Sequence, residues 1–445
     1  MTERAIDQLS NFIKNTTYEA IPLEVINRTT DCVLDVFGSA AAGTKQKSVQ
    51  AWRSVVQKDS KQGPCRIWFS SQNSNAISAA TINAMAATSL DIDDGHRLAA
   101  GHPGAAIIAS ASATAEEKNV TFSEYLCSIV LGYEAAIRVA LSRRIEHNTS
   151  TVSGRWSGIG AAVARAKLLN LSTTEISHAI LVAEQHAPRV SSAMHHGFAG
   201  SDVKEGISWS VLSGMYAVEL ALAGFKGYPD TFEQDILYDP KVLTKNLGNY
   251  DAIQGLFCKP YACCRWIHSA IDALDKLIKS YEINPHEIEL IEVLTFEKAV
   301  NLGNHLDPQN EAQAQFSIPF CLAVTALMGT KALRPLDESC IGQQSVIDMA
   351  KKVIIKNNSS MEKMFPAKAP AIVRVKHKNG FKEQLINAAF GDPTNPMSQK
   401  DLQEKFLVFS KNNLSKKRAS SIIKMVEDIP KMLNEKPLKK FDLLR

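Results

Sequence analysis

Over the first 268 residues, apolar positions recur at helical spacing. Ile6, Leu9 and Ile13 repeat every three to four residues, and Val25, Val33, Leu34 and Val36 lead into the small-residue end 38-GSAAAG-43. Residues 75–90 are Ala-rich, residues 122–138 carry a packed run with little charge, and residues 154–170 open with glycines and continue as a helix. Ser172 and Glu175 are the two ends of a capping box before a helix over 175–187, and a further helix is predicted over 202–225. No convincing strand interrupts this region. Ala and Gly at so many helical positions let many helices pack closely around a shared core.

After residue 280 the period changes. The segment 287-EIELIEVLTFEKA-299 alternates and predicts a strand. Two alternating runs in 371-AIVRVKHKNGFKEQLINA-388 flank Asn379-Gly380, a dipeptide suited to a tight hairpin. Helices are predicted over 268–281, 313–328 and 344–356, and helical periodicity returns over 398–433 behind Ser398 and Asp401. The expected fold is mainly α: an all-α helical domain built from both chain ends, 1–268 plus 396–445, with an inserted α+β lid domain over 269–395.

Composition narrows the function classes. A chain of 445 residues with 45% hydrophobic and 22% charged residues has the make-up of a soluble globular protein of two domains. A net charge of +4 without interleaved aromatics argues against nucleic acid as a partner, and the Lys-rich C-terminal stretch reads as a solvated helix face. No uninterrupted apolar run reaches the ~18 residues of a membrane span. The N-terminal MTERAIDQLSNFIKN lacks a secretory core, so a cytoplasmic location is expected. Eight Cys are scattered without a CxxC pair, a poor pattern for zinc or a disulfide framework and a fair one for small buried hydrophobes.

Chemistry concentrates in 91-DIDDGHRLAAGHPGA-105. Asp91, Asp93 and Asp94 precede His96, Arg97 and His102, and Pro103 suits the first turn of the apolar helix that follows. A helix N-terminus attracts anions and lowers the pKa of an imidazole beside it, so His102 is a candidate acid/base with Asp91 opposing the dipole. The acids equally suit helix caps and an ion pair with Arg97. Lys204 stands at a helix start, where a cation needs an anionic partner, either a protein carboxylate or a substrate. In 258-CKPYACCRWIHSAIDAL-274, Lys259, Arg265 and His268 lie close together at the domain junction. Arg265 is suited to grip a carboxylate or to form an inter-domain salt bridge. The polar loop around His147 and Arg155 is a weaker candidate. His195 and His196 lack a third metal ligand at suitable spacing, and no metal is expected.

Five segments in order, 91–105, 158–172, 204–227, 259–273 and 314–329, make the chain similar to the MmgE/PrpD family, which includes 2-methylcitrate dehydratase, cis-aconitate decarboxylase and iminodisuccinate epimerase. The resemblance runs from about residue 5 to residue 430. It implies a homodimer, a cleft between two domains, and chemistry without metal or organic cofactor on a small di- or tricarboxylic acid. It places Asp91, His102, Lys204 and Lys259 among the catalytic groups. Asp94, His96, Arg97, Arg155, Arg265 and His268 are the expected substrate-binding set. Gly95 stands where the family motif has Thr, and Thr151 where decarboxylases have a catalytic His, which argues against cis-aconitate decarboxylation. The expected activity is a lyase of the dehydratase type that breaks a bond next to a carboxylate. The alternatives are an epimerase, with His102 and Lys204 on opposite faces of the substrate, and an inactive carboxylate-binding homologue.

Overall fold

The computed structural model describes residues 3–59, 63–144, 146, 150, 152–190, 201–378 and 380–445. His147, Thr151, His195, His196 and Asn379 lie outside the described residues. The fold is mainly α, with small sheets only.

Two hydrophobic cores organise the chain. The larger is built by helices Leu23–Gly43, Ala76–Thr88, Gly104–Lys118, Phe122–Ser142, Ser157–Leu168 and Ile207–Leu222. Small residues permit their close approach. A Cβ on Gly158 would fall 2.3 Å from the carbonyl oxygen of Ser210, and one on Gly214 would fall 2.2 Å from that of Gly158. Met397, Leu402, Phe406, Ile422, Val426 and Phe441 join this same core. Helix Phe122–Ser142 is long and apolar enough to cross a membrane, but 94% of its apolar window is buried inside the protein. Its Glu134 and Arg138 pair one turn apart at 3.0 Å.

The second core gathers Tyr261 to Val375 around helices His268–Tyr281 and Ile318–Met328. A four-stranded sheet covers it, with spatial order Val353–Asn357, Ile288–Thr295, Ala371–His377, Gly380–Ile386; the first pair is parallel and the others antiparallel. The strand Val353–Asn357 replaces the end of the helix expected over 344–356, which stops at Ala350. Its five residues are too few to display a period, and only pairing with 291–295 reveals the strand. Leu90 and Ile92 belong to this second core, so the acidic loop is seated on one domain while its flanking helices belong to the other.

Candidate active site

The acidic loop is held in a conformation that extended or helical backbone cannot give. Asp91 sits at φ 54°, a left-handed geometry, directly after helix Ala76–Thr88 and its two-residue turn. Four residues further on, Gly95–His96 pairs antiparallel with Leu256–Phe257, tying the loop to the domain junction. Lys405, from a C-terminal helix, donates to the Ile92 carbonyl oxygen at 2.7 Å and pairs with Asp35. Asp94 accepts from the backbone N–H of Gly104 at 2.9 Å and from the Tyr133 hydroxyl. It therefore caps helix Gly104–Lys118 from across the loop, and Pro103 stands at the cap position.

This frame presents His102 to two buried carboxylates, Asp91 and Asp93. Its Nδ1 lies 2.7 Å from the Asp94 carbonyl oxygen, which only accepts, so the neutral ring carries its proton there and Nε2 keeps a free lone pair. Nε2 is 3.4 Å from Asp91 Oδ1, and the same oxygen is 2.8 Å from Lys259 Nζ. The His102 backbone N–H donates to Ser153 Oγ at 2.8 Å, and Ser153 in turn donates to the Glu205 carboxylate.

Electrostatics separates the groups. Burial, the largest single influence on Asp91, opposes its charge, but Lys259, His102 and Lys204 outweigh it and its pKa is lowered. Burial dominates at Asp93, whose pKa rises to about 7, and at Asp94, where it rises to about 6. Asp93 is fully buried and makes no hydrogen bond through either carboxylate oxygen. For His102, burial is again the largest influence and favours the neutral ring. Asp93, Asp91 and Glu205 prevail over burial and Lys259, and the pKa is raised. The expectation of a lowered value is corrected: the helix dipole is outweighed by buried acids within 4 Å.

A cavity of about 90 Å³ opens at His102, lined also by Asp91, His96, Arg97 and Arg265. Arg97 pairs with Asp392, not with the acids of its own loop, and Arg265 lies 3.7 Å from the same carboxylate. Both guanidinium groups lie over the Phe257 ring, at 5.8 and 4.9 Å from its centroid. His268 is fully buried; its Nδ1 takes a 3.0 Å bond from Arg265 and its Nε2 lies 3.1 Å from the Cys263 carbonyl. With burial and Arg265 driving its pKa far down, His268 is a neutral support for Arg265 and not a cavity residue. His96 lines the cavity as a neutral ring, its pKa lowered to about 4 by burial and by Arg97.

Arg155 and Lys204 are also placed off the cavity wall, as are Asp94 and Lys259. Arg155 is engaged by both carboxylate oxygens of Glu184 and by the Glu184 carbonyl at 2.9 Å, so its donors are spent inside the helical core. Lys204, at φ 44°, donates to the Ser89 carbonyl at 2.6 Å and to Gln315 Oε1 at 2.7 Å. It bridges the two cores beside the cavity without lining it, and burial lowers its pKa despite Asp91. Glu205, Phe257 and Cys264 line the cavity without having stood out in the sequence. Each adjoins a residue or segment that did, which is the signal that was present. Asp91, Asp93 and His102 also bring ligand-type atoms within 4.8 Å of one another, a spacing suited to a cation, and Lys259 already sets its ammonium against the Asp91 oxygen.

Comparison with known proteins is decisive for ancestry. Residues 7–246 match the MmgE/PrpD N-terminal domain and residues 261–431 the MmgE/PrpD C-terminal domain. The chain belongs to the MmgE/PrpD family. Its relatives include cis-aconitate decarboxylase of Aspergillus terreus, 20% identical over 97% of this chain and 94% of the relative. Human cis-aconitate decarboxylase is 24% identical over 91% of this chain and 87% of its own length. Within this MmgE/PrpD protein the boundary between the two matched domains, 246 to 261, encloses Leu256–Phe257, the strand that pairs with the acidic loop. The cavity is therefore assembled from both family domains. Gly95 also gains a reason: a Cβ there would lie 2.4 Å from Phe257 Cζ, so any larger residue would have to displace the ring that lies under the two arginines.

Proposed function

We propose that the protein is a cofactor-independent lyase acting on a small carboxylic acid, with His102 as the acid/base group. The observation that carries this reading is the 2.7 Å contact of His102 Nδ1 with the Asp94 carbonyl, an acceptor that leaves Nε2 as the basic atom of a residue lining the cavity. Nε2 takes the proton from the carbon next to a carboxylate held by Arg97 and Arg265. The electron pair left on that carbon spreads onto the carboxylate, where the guanidinium groups stabilise it. Asp91 and Asp93 stabilise the imidazolium formed. The same imidazolium returns the proton to a departing hydroxyl, which leaves as water, so one group serves both halves of a dehydration.

Dehydration is favoured over epimerisation because the second acid/base group an epimerase needs is not available at Lys204, whose amine is bonded to Ser89 and Gln315. We place the enzyme as a homodimer in the cytoplasm. The dimer is supported by exposed Trp209, Tyr216 and Leu222 on one helix with Phe225 and Tyr228 beyond it. The test is solvent deuterium incorporation across a panel of carboxylic acids, with wild-type protein and His102→Asn. Turnover is expected to fall at least ~100-fold in the variant with little change in melting temperature. Full activity with lowered stability would make His102 a structural cap.

A further inference from the structure

Glu205 lines the cavity with His102 and takes no part in the proton transfers assigned to the imidazole. Its Oε2 is spent on Ser153, whose backbone N–H donates at 2.9 Å and whose hydroxyl donates as well. Ser153 Oγ in turn accepts from the His102 backbone N–H at 2.8 Å, so one hydroxyl joins the two residues. The backbone at Glu205 is held as firmly. Lys204 before it (φ 44°) and Gly206 after it (φ 71°) are both left-handed, and strained non-glycine backbone of this kind gathers at functional sites. The Glu205 carbonyl accepts from the Gly154 N–H at 2.8 Å, and a Cβ on Gly154 would fall 2.4 Å from that oxygen. Among the described residues, no hydrogen bond or ion pair engages Oε1.

A carboxylate oxygen accepts only, so Oε1 calls for a donor on the ligand. In an acid held by Arg97 and Arg265, a hydroxyl group is such a donor. We infer that Glu205 determines specificity by recognising the hydroxyl group that the dehydration removes, an inference that rests on the lyase reading. Oε1 accepts a charge-assisted hydrogen bond from that hydroxyl, which turns a lone pair of the hydroxyl oxygen toward His102 Nε2. When the carbon next to the carboxylate gives its proton to Nε2, the electron pair of the C–H bond becomes the C=C bond. The C–O bond breaks with its pair on oxygen, which takes the proton from Nε2 and leaves as water. Glu205 keeps its charge throughout, and His102 ends neutral. One imidazole can serve both halves only if the hydroxyl lies on the face that it serves, and Ser153 tethers Glu205 to that side.

Acids that differ by one hydroxyl test this by titration calorimetry: malate against succinate, and citrate against propane-1,2,3-tricarboxylate. Wild-type protein and Glu205→Gln are compared, each also on the His102→Asn background, which keeps heat of turnover apart from heat of binding. The amide keeps the shape of the side chain. Both Ser153 donors call for its oxygen, so its NH2 faces the cavity in place of an acceptor. Wild-type protein is expected to bind the hydroxy acid of at least one pair about tenfold or more tightly than its deoxy partner. In Glu205→Gln that preference should fall below about threefold. The deoxy acid should bind as well as before or better, because a like charge has gone. Glu205→Ala should lose the preference in the same way, and decides if the amide variant does not fold. Equal binding within both pairs, no binding of either hydroxy acid, a preference that survives substitution, or parallel loss of both members of a pair would overturn the inference. Deuterium exchange that depends on His102, without a hydroxyl preference, keeps the lyase reading and removes this one. A preference lost in Glu205→Gln, with exchange into no acid, keeps the hydroxyl contact and removes the lyase.

Discussion

Replacing Gly95 by Thr, the residue expected here from the family resemblance, probes the link between the loop and the arginine pair. The added Cβ would lie 2.4 Å from Phe257 Cζ, 2.7 Å from Cε2 and 3.2 Å from the Gly101 carbonyl oxygen. Phe257 is 4% exposed, and the only room beside its ring, among the described residues, is the small cavity that it lines. Its φ is not in the left-handed region, so the cost is steric and not conformational. Overpacking of this kind costs about 1–3 kcal/mol. A ring that yields also withdraws its face from Arg97 and Arg265, at ~0.5–2 kcal/mol for each contact. One to two kcal/mol of lost binding raises KM about 5- to 30-fold. Urea melts and steady-state kinetics of Gly95→Thr, Phe257→Leu and the double variant separate the terms. The double variant should regain stability, because the smaller side chain makes room, yet keep the raised KM, because no aromatic face returns. Wild-type stability and KM in Gly95→Thr would refute the argument, as would a double variant no more stable than the single one.

Other outcomes follow from the same geometry. Because His102 titrates above its ordinary 6.5 and must be neutral to take a proton, kcat/KM should rise with pH along a limb centred above 6.5. Asp91→Asn should move that limb to lower pH, and a limb that stays put would remove Asp91 from the imidazole's environment. Lys405→Met strands the buried Asp35 carboxylate and should cost about 3–5 kcal/mol in a urea melt, with Asp35→Asn/Lys405→Met recovering most of it. A marginal change in the single variant would show the pair is not buried in solution. Dialysis against a chelator should leave turnover intact, since Lys259 supplies the charge at the Asp91 oxygen. Loss restored by one divalent ion would assign that place to a metal.

The amino-acid pattern disclosed the helical domain and the acidic loop because both are local. Apolar spacing needs only a few turns to show itself, and Asp91 to His102 fall within twelve positions. What it hid depends on partners far along the chain. Asp392 answers Arg97 across 295 residues, and nothing near Arg97 foretells it. Arg155 looked like a free cation because Glu184 is 29 residues away on another helix. Lys204 was expected to face an anionic partner, but its ammonium bonds a carbonyl and an amide, neutral groups that leave no mark in a charge pattern. The strand Val353–Asn357 escaped for the same reason, since its neighbour in the sheet is Ile288–Thr295.

The bond from Lys405 to the Ile92 carbonyl spans 313 residues, and synthesis runs in one direction. At about 5–20 residues per second, Ile92 leaves the ribosome roughly 16–60 seconds before the lysine that fixes it. The nascent chain can condense its first helices in that interval, but the loop carrying Asp91, Asp93 and Asp94 waits for Lys405. A chain stalled or truncated before Lys405 holds this loop without its anchor.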